Sequence, residues 1–99
     1  LNKVKLKPGM IISNEPGYYE KGKFGIRIEN LIYIKKDNKG MKFDNLTYAP
    51  IDKDLIVKKL LNKKEILWLN RYHENVYRTL KKYMDKKELD LLKNSCSNI

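Results

Sequence analysis

The chain has one cysteine, Cys96, so no disulfide can close within it, and this sparing use of cysteine fits a reducing, cytoplasmic setting. Apolar runs stay well short of the ~18 residues a membrane span requires, and no secretory hydrophobic segment is visible. Arginine is scarce: Arg27, Arg71 and Arg78 stand among 22 basic residues. The net charge of +10 is therefore mostly lysine, scattered over every segment with no arginine cluster or nucleic-acid motif. That pattern describes a solvated surface and argues against a nucleic-acid, anionic-membrane or acidic-partner patch. Histidine occurs once, at His73, and neither Ser13 nor Ser95 has the His and Asp companions of a nucleophilic triad. Cys96 has no partner at zinc-site spacing. Repeats and low-complexity linkers are absent, and 99 residues allow one domain at most, with a limited core.

What the sequence does have is concentrated in residues 10–30. Apolar residues at 10–12 and 26–34 flank a centre containing Gly17, Gly22 and Gly25, where the backbone can fold back. A turn centred on Gly22 pairs antiparallel residues whose numbers sum to 44, so Glu15 faces Glu29 on one side of the ribbon. Like charges opposed at ~5 Å destabilise a ladder, and three things relieve them: exposure to water, a shared proton, or a cation held between them. A hard divalent metal is the most specific of these. Arg27, two residues before Glu29, falls on the same face, where it can orient or neutralise a carboxylate. Pro16 interrupts the strand pairing between the two acids.

Around this ribbon, the alternation at 3–7 predicts a short strand with exposed Lys3, Lys5 and Lys7, leading into a Pro8-Gly9 turn. Residues 10–14 form the first ribbon strand, 31–34 prolong the second, 35–40 are a polar turn, and 43–48 return as a third strand that Pro50 ends. The period then changes. Asn62 caps a helix, with Glu65 three residues on, and Ile66, Leu69, Tyr72 or His73, Val76, Leu80 and Tyr83 make its apolar face. Leu89, Leu91 and Leu92 suggest a short last helix before a polar tail. The class is α+β, with antiparallel strands over about 3–48 and helices over about 63–93. His73 reads as a packing or pocket-wall residue, and Trp68 as core or interface.

Three motifs carry a resemblance: Pro8-Gly9-Met10, Ser13-Asn14-Glu15-Pro16-Gly17-Tyr18-Tyr19, and Phe24-Gly25-Ile26-Arg27-Ile28-Glu29-Asn30. Together they resemble the last two metal-ligand motifs of the Xaa-Pro aminopeptidases (aminopeptidase P), pita-bread metallopeptidases related to methionine aminopeptidase, prolidase and creatinase. Leu46-Thr47, Pro50-Ile51-Asp52, Trp68-Leu69-Asn70 and Tyr72-His73 resemble the C-terminal part of the eukaryotic three-domain form. The match is poorest after Met84.

The resemblance implies the C-terminal portion of a pita-bread catalytic domain, residues 1–99, whose upstream part is absent; the start at Leu1 inside a family segment agrees with that expectation. It implies two divalent ions, manganese by family habit, held by two Asp, one His and two Glu. Glu15 then binds one ion and acts in proton transfer, Glu29 bridges both, and Tyr19 and Arg27 stand behind the ligands and tune them. The two Asp and the His have no counterpart here. The implied substrate is a peptide with proline in second position, cleaved by a cytoplasmic homodimer, while residues 1–99 alone are expected to be inactive. Two other readings stay open: a non-catalytic pita-bread module that binds peptides or proteins, and a prolidase-like or methionine-releasing peptidase. Retention of both Glu residues weighs against the first, and Tyr18-Tyr19 with residues 68–73 against the second.

Overall fold

The computed structural model describes residues 3–99 and divides into two compact units, Leu1–Thr47 and Tyr48–Ile99. The regular elements of the first are all strands. β1 (Ile11–Asn14), β2 (Gly17–Glu20), β3 (Phe24–Arg27), β4 (Asn30–Asp37) and β5 (Gly40–Asn45) form a three-stranded sheet in the order β1-β4-β5 and a separate two-stranded ribbon, β2-β3. All pairings are antiparallel. Gly22, at φ +75°, makes the turn between β2 and β3, and the Lys23 ammonium clamps that turn onto Glu20 at 2.5 Å. A second hairpin closes where Asp37 pairs with Gly40, whose φ of +123° suits glycine. Asp37 accepts from the Lys39 N–H there and pairs with Lys42 at 2.8 Å. These bonds hold its carboxyl below the usual range, the one to Lys42 most of all.

Three expectations for this unit need correction. Residues 3–7 are exposed and form no strand. Alternation is equally compatible with an extended segment outside any ladder, and the Gly9 N–H, in the Pro8-Gly9 turn, donates to the Ile34 carbonyl at 2.8 Å ahead of β1. Lys35 and Lys36, expected in a turn, lie within β4 and pair with Lys42 and Met41. The third strand starts earlier than expected and ends at Asn45. Past it, the Leu46 N–H still reaches the Leu31 carbonyl at 2.8 Å, and Thr47 Oγ1 accepts from the Leu31 N–H, also at 2.8 Å. Leu46-Thr47 thus completes the edge where β4 begins.

The second unit is helical: a short 3-10 turn at Lys58–Leu60, then α1 (Lys63–Leu80), a second 3-10 turn at Lys81–Tyr83, and α2 (Lys86–Ser95). Asn62 caps α1 as its spacing predicts. Its side chain accepts from the Lys64 and Glu65 N–H groups, and Glu65 reaches back to the Asn62 N–H at 2.8 Å. An equivalent box at Asp85 and Glu88, not foreseen from the sequence, starts α2 and explains why the α-helix stops at Leu80 and leaves Tyr83 exposed. The core is Tyr72, Val76, Leu92 and Cys96, with Ile51, Tyr77, Leu80 and Met84 against it. Trp68, expected in a core or at an interface, is 59% exposed, which removes the core reading, and stacks on Tyr72 with ring centroids 5.6 Å apart.

Adjacent residues of α1 hold the preceding loop. The Tyr72 hydroxyl donates to the Ala49 carbonyl at 2.7 Å, and the Ile51 N–H donates to His73 Nε2 at 3.0 Å. Lys53, from the same loop, donates to the Asn94 and Ser97 carbonyls and so caps the C-terminal end of α2. His73 is fully buried, as a packing residue should be. Because Nε2 accepts, the ring hydrogen belongs on Nδ1, which meets no hydrogen-bond partner among the described residues.

Burial, and after it the nearby Lys53 charge, push the His73 pKa below its ordinary value. The unfolded chain therefore takes up a proton near pH 6.5 that the folded unit refuses until lower pH. Stability is complete above that value and falls as pH drops through it, by at most about 1.4 kcal/mol per pH unit. Denaturation followed from pH 7.5 to 5 should show the decline, and His73→Gln, which keeps an acceptor for Ile51, should flatten it.

Candidate functional site

β1 pairs with β4 through Ile11↔Tyr33 to Asn14↔Asn30, and β2 with β3 through Gly17↔Arg27 to Glu20↔Phe24; in both ladders the partner numbers sum to 44. The two ladders are one ribbon, interrupted once. Pro16 has no N–H to donate, but its carbonyl still accepts from Ile28 at 3.1 Å, so the register crosses the interruption without a slip. The second strand, expected to run unbroken from 26 to 34, is instead divided there into β3 and β4. Glu15 and Glu29 occupy the gap, flanked by Asn14↔Asn30 on one side and the Pro16 to Ile28 bond on the other. Ser13, Glu15, Gly17 and Tyr19 share one face of the ribbon with Gly25, Arg27 and Glu29 by the period-two rule.

Arg27 joins that face into a network. Its Nη1 donates to Glu15 Oε2 at 2.9 Å, and its Nε donates to the Tyr19 hydroxyl at 2.7 Å. The other carboxylate oxygen, Oε1, accepts from the Ser13 hydroxyl at 2.7 Å. The guanidinium is held protonated more firmly than usual, first by the Tyr19 bond, with further contributions from the charges of Glu15 and Glu29. Its field thus includes both acids. The Arg27 and Glu15 side chains are 50% and 41% accessible, so water screens their ion pair and it adds little to stability. Its value lies in orientation.

Tyr19 lies flat because two glycines make room. A Cβ on Gly25, its cross-strand partner, would stand 2.6 Å from ring atom Cδ1; one on Gly17 would stand 2.7 Å from the hydroxyl oxygen. Neither glycine has positive φ. Of the three central glycines expected to let the chain fold back, only Gly22 turns it, and the other two are the floor under a tyrosine ring. Parity held the clue, since the sum of 44 already sets Gly25 opposite Tyr19 and Gly17 opposite Arg27. Ser13 was weighed from the sequence only as a nucleophile, and its bond to Glu15 went unforeseen.

Two opposed carboxylates are hard oxygen donors that suit a divalent cation, and each oxygen of Glu15 keeps a lone pair beyond its single hydrogen bond. Among the described residues no group of three or more His, Cys, Asp or Glu converges, so a closed site needs donors from elsewhere. His73 and Cys96 are in the second unit and belong to its core.

Comparison with known proteins bears on this arrangement. Residues 39–99 match the family described as "C-terminal region of peptidase_M24", and residues 1–36 match "Metallopeptidase family M24". A probable Xaa-Pro aminopeptidase P from Laccaria bicolor is 41% identical over 107 residues, covering 98% of this chain and 17% of that protein. One from Botryotinia fuckeliana is 45% identical over 98 residues, covering 91% and 15%. The crystal structure of X-prolyl aminopeptidase from Caenorhabditis elegans, described as a cytosolic enzyme with a di-nuclear active site, superposes with a TM-score of 0.80 at 35% identity, over 95% of this chain and 17% of that one. The chain therefore spans about a sixth of the length of these relatives.

The glycine floor is testable. In a strand, Gly→Ala normally stabilises by a few tenths to ~1 kcal/mol through the unfolded state. Gly25→Ala should instead cost about 1–3 kcal/mol, because the methyl drives into the Tyr19 ring. Chemical denaturation of Gly25→Ala with and without Tyr19→Ala checks this: the cost should largely vanish once the ring is gone, and an equal cost in both backgrounds would show that Tyr19 does not rest there.

Proposed function

The chain belongs to metallopeptidase family M24, and from that premise we propose that it carries two ligands, Glu15 and Glu29, of the five that hold a pair of divalent ions in an Xaa-Pro aminopeptidase. The observation that carries the reading is the register of 44 across Pro16, which sets the two acids opposite each other with Arg27 bonded to one of them. The three missing ligands, two Asp and a His, come in this proposal from an upstream part of the same polypeptide, and residues 1–99 alone retain no pair of divalent metal ions and cleave nothing. Side chains such as Ile11, Tyr18 and Phe24, each more than half exposed, suit a ribbon that other parts of a longer chain cover. The proposed enzyme is a cytoplasmic homodimer, in line with the cytosolic description of the Caenorhabditis relative; light scattering that gives the mass of one polypeptide would remove the dimer.

The donor set fits manganese, which favours carboxylate oxygen. When bound, the two ions supply Lewis-acid chemistry, lowering the pKa of a water and polarising the scissile carbonyl. Glu29 would hold both members of the pair and Glu15 one. Glu15, aimed by Arg27, also carries a proton towards the departing prolyl nitrogen. Tyr19 keeps the guanidinium plane in place through its bond to Nε. The nitrogen of the scissile bond belongs to a proline and carries no hydrogen, so preference for that bond comes from a pocket shaped to the ring.

Metal content by elemental analysis and cleavage of a Xaa-Pro peptide, measured on the full-length polypeptide, test the assignment. Glu29→Ala should lose both ions and activity, because one substitution removes a ligand from each and leaves their repulsion less compensated. Glu15→Ala should retain one ion and lose activity. Two ions and normal cleavage in Glu29→Ala would make the ribbon ordinary scaffold. Arg27→Lys keeps the charge and loses the planar fork that reaches Glu15 and Tyr19 together, so turnover should fall at least tenfold with little change in thermal stability.

A further inference from the structure

Glu15 is gripped at both ends of its carboxylate, and the two grips differ in kind. Arg27 reaches Oε2 from the opposite strand and brings a full positive charge. Ser13 reaches Oε1 from two residues back along its own side of the ribbon and brings none. We propose that Ser13 is a positioning residue for metal binding at Glu15, a role that rests on the reading of Glu15 as a ligand.

A glutamate has three rotatable side-chain bonds, and this one is 41% accessible, so nothing in its packing selects a single orientation. One donor on each oxygen does. Ser13 and Glu15 lie on the same face because strand side chains alternate, and the short hydroxyl ends within 2.7 Å of Oε1 without a long chain of its own to order. Each oxygen has two lone-pair sites, so the paired donors turn the plane of the carboxylate while leaving one site per oxygen for an ion.

The difference in charge matters once a cation arrives. Arg27 repels an ion seated on Glu15 even as it aims the carboxylate, so its orienting effect is partly offset. The hydroxyl aims the same group with no such opposition. Ser13 is thus the donor whose contribution survives metal binding, and its removal withdraws orientation while relieving no repulsion.

The test uses the full-length polypeptide, with manganese affinity read by competition with a chelator and metal content read by elemental analysis. Ser13→Ala should weaken the more easily lost ion about tenfold, the lower end of the effect expected for partners that orient a ligand, and leave the other ion and the thermal unfolding temperature unchanged. Ser13→Thr keeps the hydroxyl and should restore affinity to within about twofold of the parent. Unchanged manganese affinity in Ser13→Ala overturns the proposal, as does Ser13→Thr behaving like Ser13→Ala, since the hydroxyl would then be irrelevant. Glu15→Ala separates the two layers of argument. If it loses one ion while Ser13→Ala loses no affinity, only the Ser13 role fails; if it keeps both ions at parental affinity, Glu15 is no ligand and the role of Ser13 falls with it.

Discussion

The antiparallel register of the ribbon is the constraint on which the candidate site depends. It sets Glu15 opposite Glu29, Arg27 opposite Gly17 and Gly25 opposite Tyr19, and it is held from the Gly22 turn to the pairing of Ile11 with Tyr33. A slip of one residue would turn every side chain of one strand to the opposite face from its present partners and separate these cross-strand pairs. Pro16 is where a slip would be easiest, because a ladder donor is missing. The bond from Ile28 to the Pro16 carbonyl carries the register past it. The interruption also leaves Glu15 and Glu29 outside both strands, in a gap where two like charges are not forced into a regular ladder pair.

The contacts that build the site contribute little to stability. Ser13, Glu15, Arg27 and Tyr19 are all exposed, and bonds between such groups compete with water on nearly equal terms. What they provide is direction. A carboxylate with a donor on each oxygen and a guanidinium bound both to it and to a tyrosine have few alternative arrangements, and the tyrosine is fixed by a shape requirement, the absence of two Cβ atoms, and not by a strong bond. The stability that holds the ribbon comes from its ladders and from the sheet at its base, where β4 pairs on both sides and Ile34 is 3% exposed.

The second unit follows a different economy. Its core is small, and much of its order comes from backbone groups bound by side chains distant in sequence: Ala49 by Tyr72, Ile51 by His73, and the end of α2 by Lys53. The consecutive Tyr72 and His73 therefore act on one loop, where a histidine buried as a neutral acceptor serves better than a charged one. Burial likewise pushes the Cys96 thiol up, which keeps it unreactive inside the same core.

Local chemistry was legible from the residues alone. The turn at Gly22, the sum of 44, the face shared by Glu15, Arg27 and Glu29, and the capped helix after Asn62 each rest on short-range rules of parity, φ preference and capping. The tertiary structure decided matters that depend on a neighbour. Residues 3–7 alternate like a strand yet join no ladder, because alternation sets which way side chains face and not where the backbone bonds go. Trp68 has the size of a core residue and stays 59% exposed, with its ring stacked on Tyr72. Gly17 and Gly25 look like hinges and are a floor, and Ser13 looks like an idle hydroxyl and grips a carboxylate. In each case the physical reason is the same. Sequence spacing says which way a side chain leaves the backbone, and only the folded chain says which atoms stand where it arrives.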